Sequence, residues 1–145
     1  VNIMMAYMAL YDFDGFKKMS RFMMITYTVT IIIYFIYPNV QELRPTCFER
    51  DNVLTRLVAF IYTVDTNTNV CPSLHVVGSV AAMSAGLHCP EFQKTGWRVL
   101  FVLTASFTSI STVFLKQHSA VDLLVALPIC LVAYLICYHS EMRKA

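Results

Sequence analysis

Residues 119–138 read SAVDLLVALPICLVAYLICY, twenty residues with a single formal charge at Asp122. A helix crossing about 30 Å of hydrocarbon needs about 20 residues, and this stretch supplies them. Working outward, three more apolar windows of that order occur at Phe22–Tyr37, Ser73–Leu87 and Val99–Leu115. The windows are continuously apolar rather than alternating, which argues against a spanning β-barrel. Inside lipid each backbone polar group must be satisfied within its own segment. The expected fold is therefore all-α, a polytopic membrane helical bundle with four complete spans. Val1–Tyr11 is apolar but too short to span. We read it as a partial N-terminal helix, the tail of one that begins before Val1, in a chain expected to be a piece of a longer protein.

Composition points the same way. Hydrophobic residues make up 57% of the chain and charged residues only 14%, against roughly 25% charged in soluble globular domains. The mean hydropathy is +0.59. At 145 residues the chain is read as one integral membrane domain. No secretory signal is expected, since no basic stretch and no small-residue cleavage site precede Asp12. With spans alternating, Lys17, Lys18, Arg21, Lys94, Arg98, Arg143 and Lys144 fall on one side, and Arg44, Arg50, Arg56 and Lys116 on the other. Short flanks rich in Lys and Arg stay in the cytoplasm. The second set, the long Pro38–Cys71 loop, His75 and His118 are then expected on the extracytoplasmic face, in the plasma membrane. Within that loop Asn52–Val64 reads as a short interfacial helix, either a cover on the bundle or a lip for lipid access.

The five cysteines, Cys47, Cys71, Cys89, Cys130 and Cys137, include no CxxC pair and no metal spacing, so no zinc site is expected. Cys130 and Cys137 read as small apolar fillers. Cys47 and Cys71 share the outer loop, where a disulfide and two free thiols are both open readings.

Chemistry concentrates at the mouths of two spans. Pro72-Ser73 looks like a helix start. The backbone N–H groups of Ser73, Leu74 and His75 would then face out of the membrane at the positive end of the helix dipole, an anion site to which Ser73 adds a hydroxyl. His118 and Asp122 stand four apart, on one helix face. The carboxylate can thus hold the imidazole Nδ1–H and leave Nε2 free as nucleophile or base. Asp122 is also the only acidic residue within an expected span, a placement that usually marks function. Lys116 can supply charge at the interface or snorkel. Arg44, fixed by Pro45, offers a planar fork to phosphate oxygens. Haem ligation by His75 and His118 is disfavoured, because both lie at the rim. Transport is disfavoured too, since no broken-helix pair is evident.

These residues, Arg44-Pro45, Pro72-Ser73-Leu74-His75, and Ser111 followed by His118 and Asp122, resemble the motifs of the type 2 phosphatidic acid phosphatase superfamily. That superfamily includes the vanadium haloperoxidases and the sphingomyelin and inositol phosphorylceramide synthases. The resemblance implies a six-helix core, no metal or other cofactor, and a phosphohistidine intermediate. His118 would be the nucleophile, Asp122 its orienting partner and His75 the general acid. Arg44, Ser73, Leu74 and Lys116 would bind the phosphate. Three positions depart from the family pattern: Tyr37 stands where a Lys is usual, Leu74 where Gly is usual, and Thr112 where Arg is usual. Two usual phosphate cations are thereby missing, and Lys116 is expected to replace one. The implied function is metal-independent hydrolysis of a lipid phosphate ester at the outer face of the membrane. A lipid phosphotransferase and a non-catalytic lipid-binding remnant are the alternatives. Membrane lipids are the expected partners, and no nucleic acid is.

Overall fold

The computed structural model describes residues 1–142, with side chains to His139; Arg143 and Lys144 of the orientation argument lie outside the described residues. Six α-helices follow in order: α1 Asn2–Tyr11, α2 Phe13–Ile36, α3 Val53–Val64, α4 Leu74–His88, α5 Thr95–Phe114 and α6 Ala120–Met142. A 3-10 turn at Pro90–Phe92 joins α4 to α5. The boundaries follow local chemistry. Asp12 caps α2 by accepting from Gly15 N–H at 2.9 Å, and Pro38 ends it, because a residue before proline avoids the helical region. Asn52 and Thr55 form a reciprocal capping box at the start of α3.

Three helices are long and apolar enough to cross a membrane: Phe13–Ile36, Thr95–Phe114 and Ala120–His139. The expected fourth span, Ser73–Leu87, is not among these three. It forms α4, only 15 residues and hence about 22 Å long, because Pro72 fixes its start and Cys89-Pro90 its end. α4 is the central helix of the bundle. Val76, Val77, Ala81, Ser84, Ala85 and Gly86 are buried where it packs against α2, α5 and α6. Its small residues permit close approach, as is usual between helices in lipid. A Cβ on Gly86 would lie 2.5 Å from the Phe101 ring of α5.

The outward surfaces of α2, α5 and α6 expose Ile31, Ile32, Leu103, Phe107, Leu124 and Leu131, the side chains a lipid-facing surface requires. α1 is tied back to the α4–α5 turn, with Tyr7 donating to Glu91 and its ring tilted against Phe92 at 5.1 Å. α3 buries no residue and exposes Val53, Leu54, Leu57, Phe60 and Val64.

The long loop is ordered by a small pairing of its two ends. Val40 and Thr68 form an antiparallel bridge, and Gln41 N–H donates to Asn67 O at 3.0 Å. Asn39 Oδ1 accepts from Val70 N–H at 2.8 Å and Cys71 N–H at 2.9 Å. These bonds press residues 65–73 against the mouth of the bundle.

Candidate active site

His75 and His118 meet there. Their ring centroids are 5.4 Å apart and the planes cross at 72°. Both line a cavity of about 360 Å³, together with Tyr34, Asp65, Thr66, Thr68, Asn69, Val70 and Leu74. His75 comes from the first turn of α4. His118 comes from the five-residue link between α5 and α6, Leu115–Ser119.

The link owes its shape to a Schellman turn. Lys116 N–H donates to Val113 O and Gln117 N–H to Thr112 O, both at 2.9 Å, with Lys116 left-handed at φ 52°. This hydrogen-bond pattern usually carries glycine at the left-handed position. His118 N–H adds a bond to Thr112 O at 3.1 Å, and the imidazole is only 5% exposed.

Asp122 stands behind it. Its Oδ2 is 3.4 Å from His118 Nδ1, while Oδ2 also accepts from Ser119 N–H at 2.8 Å and Oδ1 from Ser119 Oγ at 2.9 Å. Asp122 therefore closes a capping box on α6 and backs the imidazole at once. The His118 contact is loose, and Nδ1 forms no well-aligned hydrogen bond. Catalytic pairs of this kind commonly tighten once substrate is bound. Burial holds the His118 pKa below its ordinary value, the neighbouring His75 pushes the same way, and Asp122 opposes them only in part. His118 is thus kept neutral, the form a nucleophile needs.

Asp65, the residue that ends α3, organises the other wall. Its Oδ1 lies 3.8 Å from His75 Nε2, an ion pair whenever that imidazole is protonated. Its Oδ2 accepts from Arg44 Nη2 at 3.2 Å and from Gln117 Nε2 at 2.9 Å. Asp65 thereby links α3, the long loop, α4 and the α5–α6 link.

The expected phosphate ligands are placed differently from one another. Leu74 lines the cavity, and its N–H and that of His75 are the first-turn donors of α4 left without a hydrogen bond. Ser73 is fully buried; its N–H donates to Asp122 O at 3.3 Å and its Oγ accepts from Val76 N–H at 3.5 Å. It caps α4, and it does not line the cavity. Arg44 is taken up by its own fold. Nη1 donates to Tyr62 O at 3.3 Å and to Asp65 O, and Nη2 to Thr66 O at 3.2 Å, with the guanidinium 4.7 Å above the Tyr62 ring. Lys116 is exposed and does not line the cavity. Among the described residues no Lys or Arg therefore lines it, and a phosphate there would meet two imidazoles, the α4 amides and one carboxylate.

Sequence reasoning gave Asp65 no site role and missed Gln117, Gln41 and Asn39. Gln41, with its amide turned to suit its neighbours, donates to Lys116 O at 3.0 Å and accepts from His118 N–H at 3.3 Å. Asp65 had one sequence signal, the run of amides and hydroxyls that follows it at residues 66–69; Asn39, Gln41 and Gln117 had none. Cys47 and Cys71 are free thiols, which settles the loop disulfide in the negative. Burial, with Asp122 adding to it, pushes the Cys71 thiol up to about 11. Among the described residues no three His, Cys, Asp or Glu side chains form a metal-ligating group.

A second cavity of about 380 Å³ shares Leu74 and His75 with the first and runs between α4 and α5, past Gly78, Ala82, Met83, Phe101 and Ala105. It is the more apolar of the two, although Tyr27, Ser79, Thr104 and Thr108 also line it, and His75 is common to both.

No protein-family model, curated protein or solved structure matches this chain.

Lys116 carries a prediction of its own. A left-handed non-glycine residue costs roughly 1–2 kcal/mol, so Lys116→Gly is expected to stabilise the protein by about 1 kcal/mol. Turnover should be retained, because the ammonium lies outside the cavity. Thermal unfolding in detergent measures the first effect, and a parallel activity assay the second.

Proposed function

We propose that this chain is an integral membrane enzyme that transfers a phosphorus-bearing lipid headgroup through a phosphohistidine on His118. One observation carries the reading: a buried His118, backed by Asp122, shares a cavity with His75 at 5.4 Å. In the first half-reaction His118 attacks phosphorus, and the P–O bond to the lipid breaks. His75, as imidazolium, gives its proton to the departing oxygen. In the second, His75 takes a proton from the acceptor hydroxyl, that oxygen attacks phosphorus, and His118 leaves neutral. Asp122 balances the charge that His118 gains in between.

The charge of the cavity bears on the substrate. A phosphate monoester brings close to two negative charges at pH 7 and calls for cations, whereas a phosphodiester brings one. Among the described residues the cavity wall has one carboxylate, paired behind with Arg44, and no Lys or Arg. This favours a phosphodiester lipid with a lipid alcohol as acceptor over hydrolysis of a phosphate monoester such as phosphatidic acid. The apolar cavity at His75 offers room for that acceptor's chain. The basic flanks of α2 and α5 favour the cytoplasm, which supports a reading with the cavity on the extracytoplasmic side.

The test is a detergent assay with two reactions side by side, without added metal. Headgroup transfer from phosphatidylcholine or phosphatidylinositol to diacylglycerol or ceramide is expected to exceed phosphate release from phosphatidic acid. Phosphate release alone would return the reading to a lipid phosphatase. Neither reaction, in a folded protein, would overturn both.

A further inference from the structure

We infer that the opposite end of the bundle binds the headgroup of an anionic phospholipid, independently of the histidine cavity. A cleft of about 260 Å³ opens there between the first turns of α2 and the last turns of α6, lined by Asp14, Lys17, Lys18, Arg21 and Cys137. Among the described lining residues Lys17 and Arg21 face one carboxylate, Asp14, and Lys18, which has a partner of its own, stands beside them. Lys17 Nζ contacts Asp14 Oδ1 at 3.1 Å and sits 4.6 Å over the Phe13 ring. Arg21 forms no ion pair among the described residues and keeps its planar fork for a phosphodiester.

The depth of the cleft selects a lipid over a soluble anion. The 24 residues of α2 extend about 36 Å, a turn more than the roughly 30 Å of hydrocarbon. Lys17 and Lys18 then stand at headgroup level, and Arg21, about 12 Å from the start of the helix, reaches back to them along its stem. Beyond Arg21 toward the membrane centre, Met24 on α2 and Leu135 and Ile136 on α6 are exposed apolar side chains. A phospholipid seated in the cleft would meet cations with its phosphate and apolar side chains with its acyl chains. Charge and polarity thus change along the surface in the order in which they change along the lipid.

The experiment titrates the full chain in mixed micelles with phosphatidylglycerol and, separately, phosphatidylcholine, reading retained lipid by mass spectrometry. Phosphatidylglycerol is expected to be retained preferentially. One juxtamembrane cation is worth about 1 kcal/mol, or roughly five-fold in affinity, so Lys17→Gln with Arg21→Gln should reduce the preference by about 25-fold. Lys17→Arg with Arg21→Lys should keep it, and Arg50→Gln, in the long loop, should leave it unchanged. In the parent alone the preference should weaken from low to physiological salt, a reading that does not depend on any variant folding. Equal retention of the two lipids, a preference that survives the double glutamine variant, an equal loss in Arg50→Gln, or indifference to salt would each overturn the proposal. So would displacement of the lipid by inorganic phosphate, which would assign the cleft to a soluble anion. Because no substrate turnover is read, failure here leaves the histidine reading standing, and the converse.

Discussion

His118→Asn is expected to reduce turnover by about 10⁴-fold or more, since removing the nucleophile of a covalent mechanism leaves only binding and positioning. Asparagine fits the space of a side chain that is only 5% exposed, so the fold should persist and the loss should be chemical. Labelled headgroup should appear on the parent protein after acid-free denaturation and be absent from the variant. His75→Asn should behave differently. It removes the proton donor and leaves the nucleophile, so the loss should be about 10²–10⁴-fold, with label still trapped on His118. The pH profile follows from burial. His118 acts as the neutral imidazole, and its pKa is pushed below the ordinary 6.5 by burial first and His75 second. The neutral form therefore survives below pH 6.5, and the acid limb of kcat/KM should fall only as the pH drops through that lowered value. An acid limb at or above 6.5 would argue against His118 as the group that must be deprotonated.

What the sequence made legible, and what it did not, divides along physical lines. Long apolar runs report helices because lipid leaves the backbone no alternative, and α2, α5 and α6 fall where those runs lie. α4 was readable as a helix but not as a short central one. Its length is set by Pro72 and Pro90, while its burial depends on neighbours that its own residues do not name. His75, His118 and Asp122 stood out because polar groups at the mouth of an apolar helix are costly to place there. Their meeting at 5.4 Å needed the α5–α6 link to turn through a left-handed Lys116, which no local preference of lysine foretells. Arg44 and Ser73 were the residues whose chemistry was right and whose partners were invisible. Arg44 finds Asp65 across 21 residues of loop, and Ser73 finds the Asp122 carbonyl across 49. Periodicity carries no information about contacts of that range.

Asp65→Asn should have the second large effect, in stability and rate together. Asp65 Oδ2 holds Arg44 and Gln117, and its carbonyl also receives Arg44. Asparagine keeps the shape and one acceptor but removes the charge opposite a guanidinium whose side chain is only 13% exposed. Charge-assisted hydrogen bonds are worth about 1.5–3 kcal/mol, and Asp65 is itself one-third exposed, so a loss near the lower end, about 2 kcal/mol, is expected by thermal unfolding. The rate should fall by about 10–100-fold, because the carboxylate oxygen 3.8 Å from His75 Nε2 no longer positions the imidazole that protonates the leaving oxygen. The two effects separate with a change of substrate. A nitrophenyl leaving group needs no proton, so it should restore the first half-reaction, read as the burst of nitrophenol, in Asp65→Asn and in His75→Asn, and not in His118→Asn. Arg44→Lys loses the planar fork over Tyr62 and should be destabilised to a similar degree. It retains the carboxylate beside His75, and so should show little rate loss and no leaving-group dependence. If Arg44→Lys and Asp65→Asn respond alike to the leaving group, Asp65 only braces the loop and takes no part in setting His75.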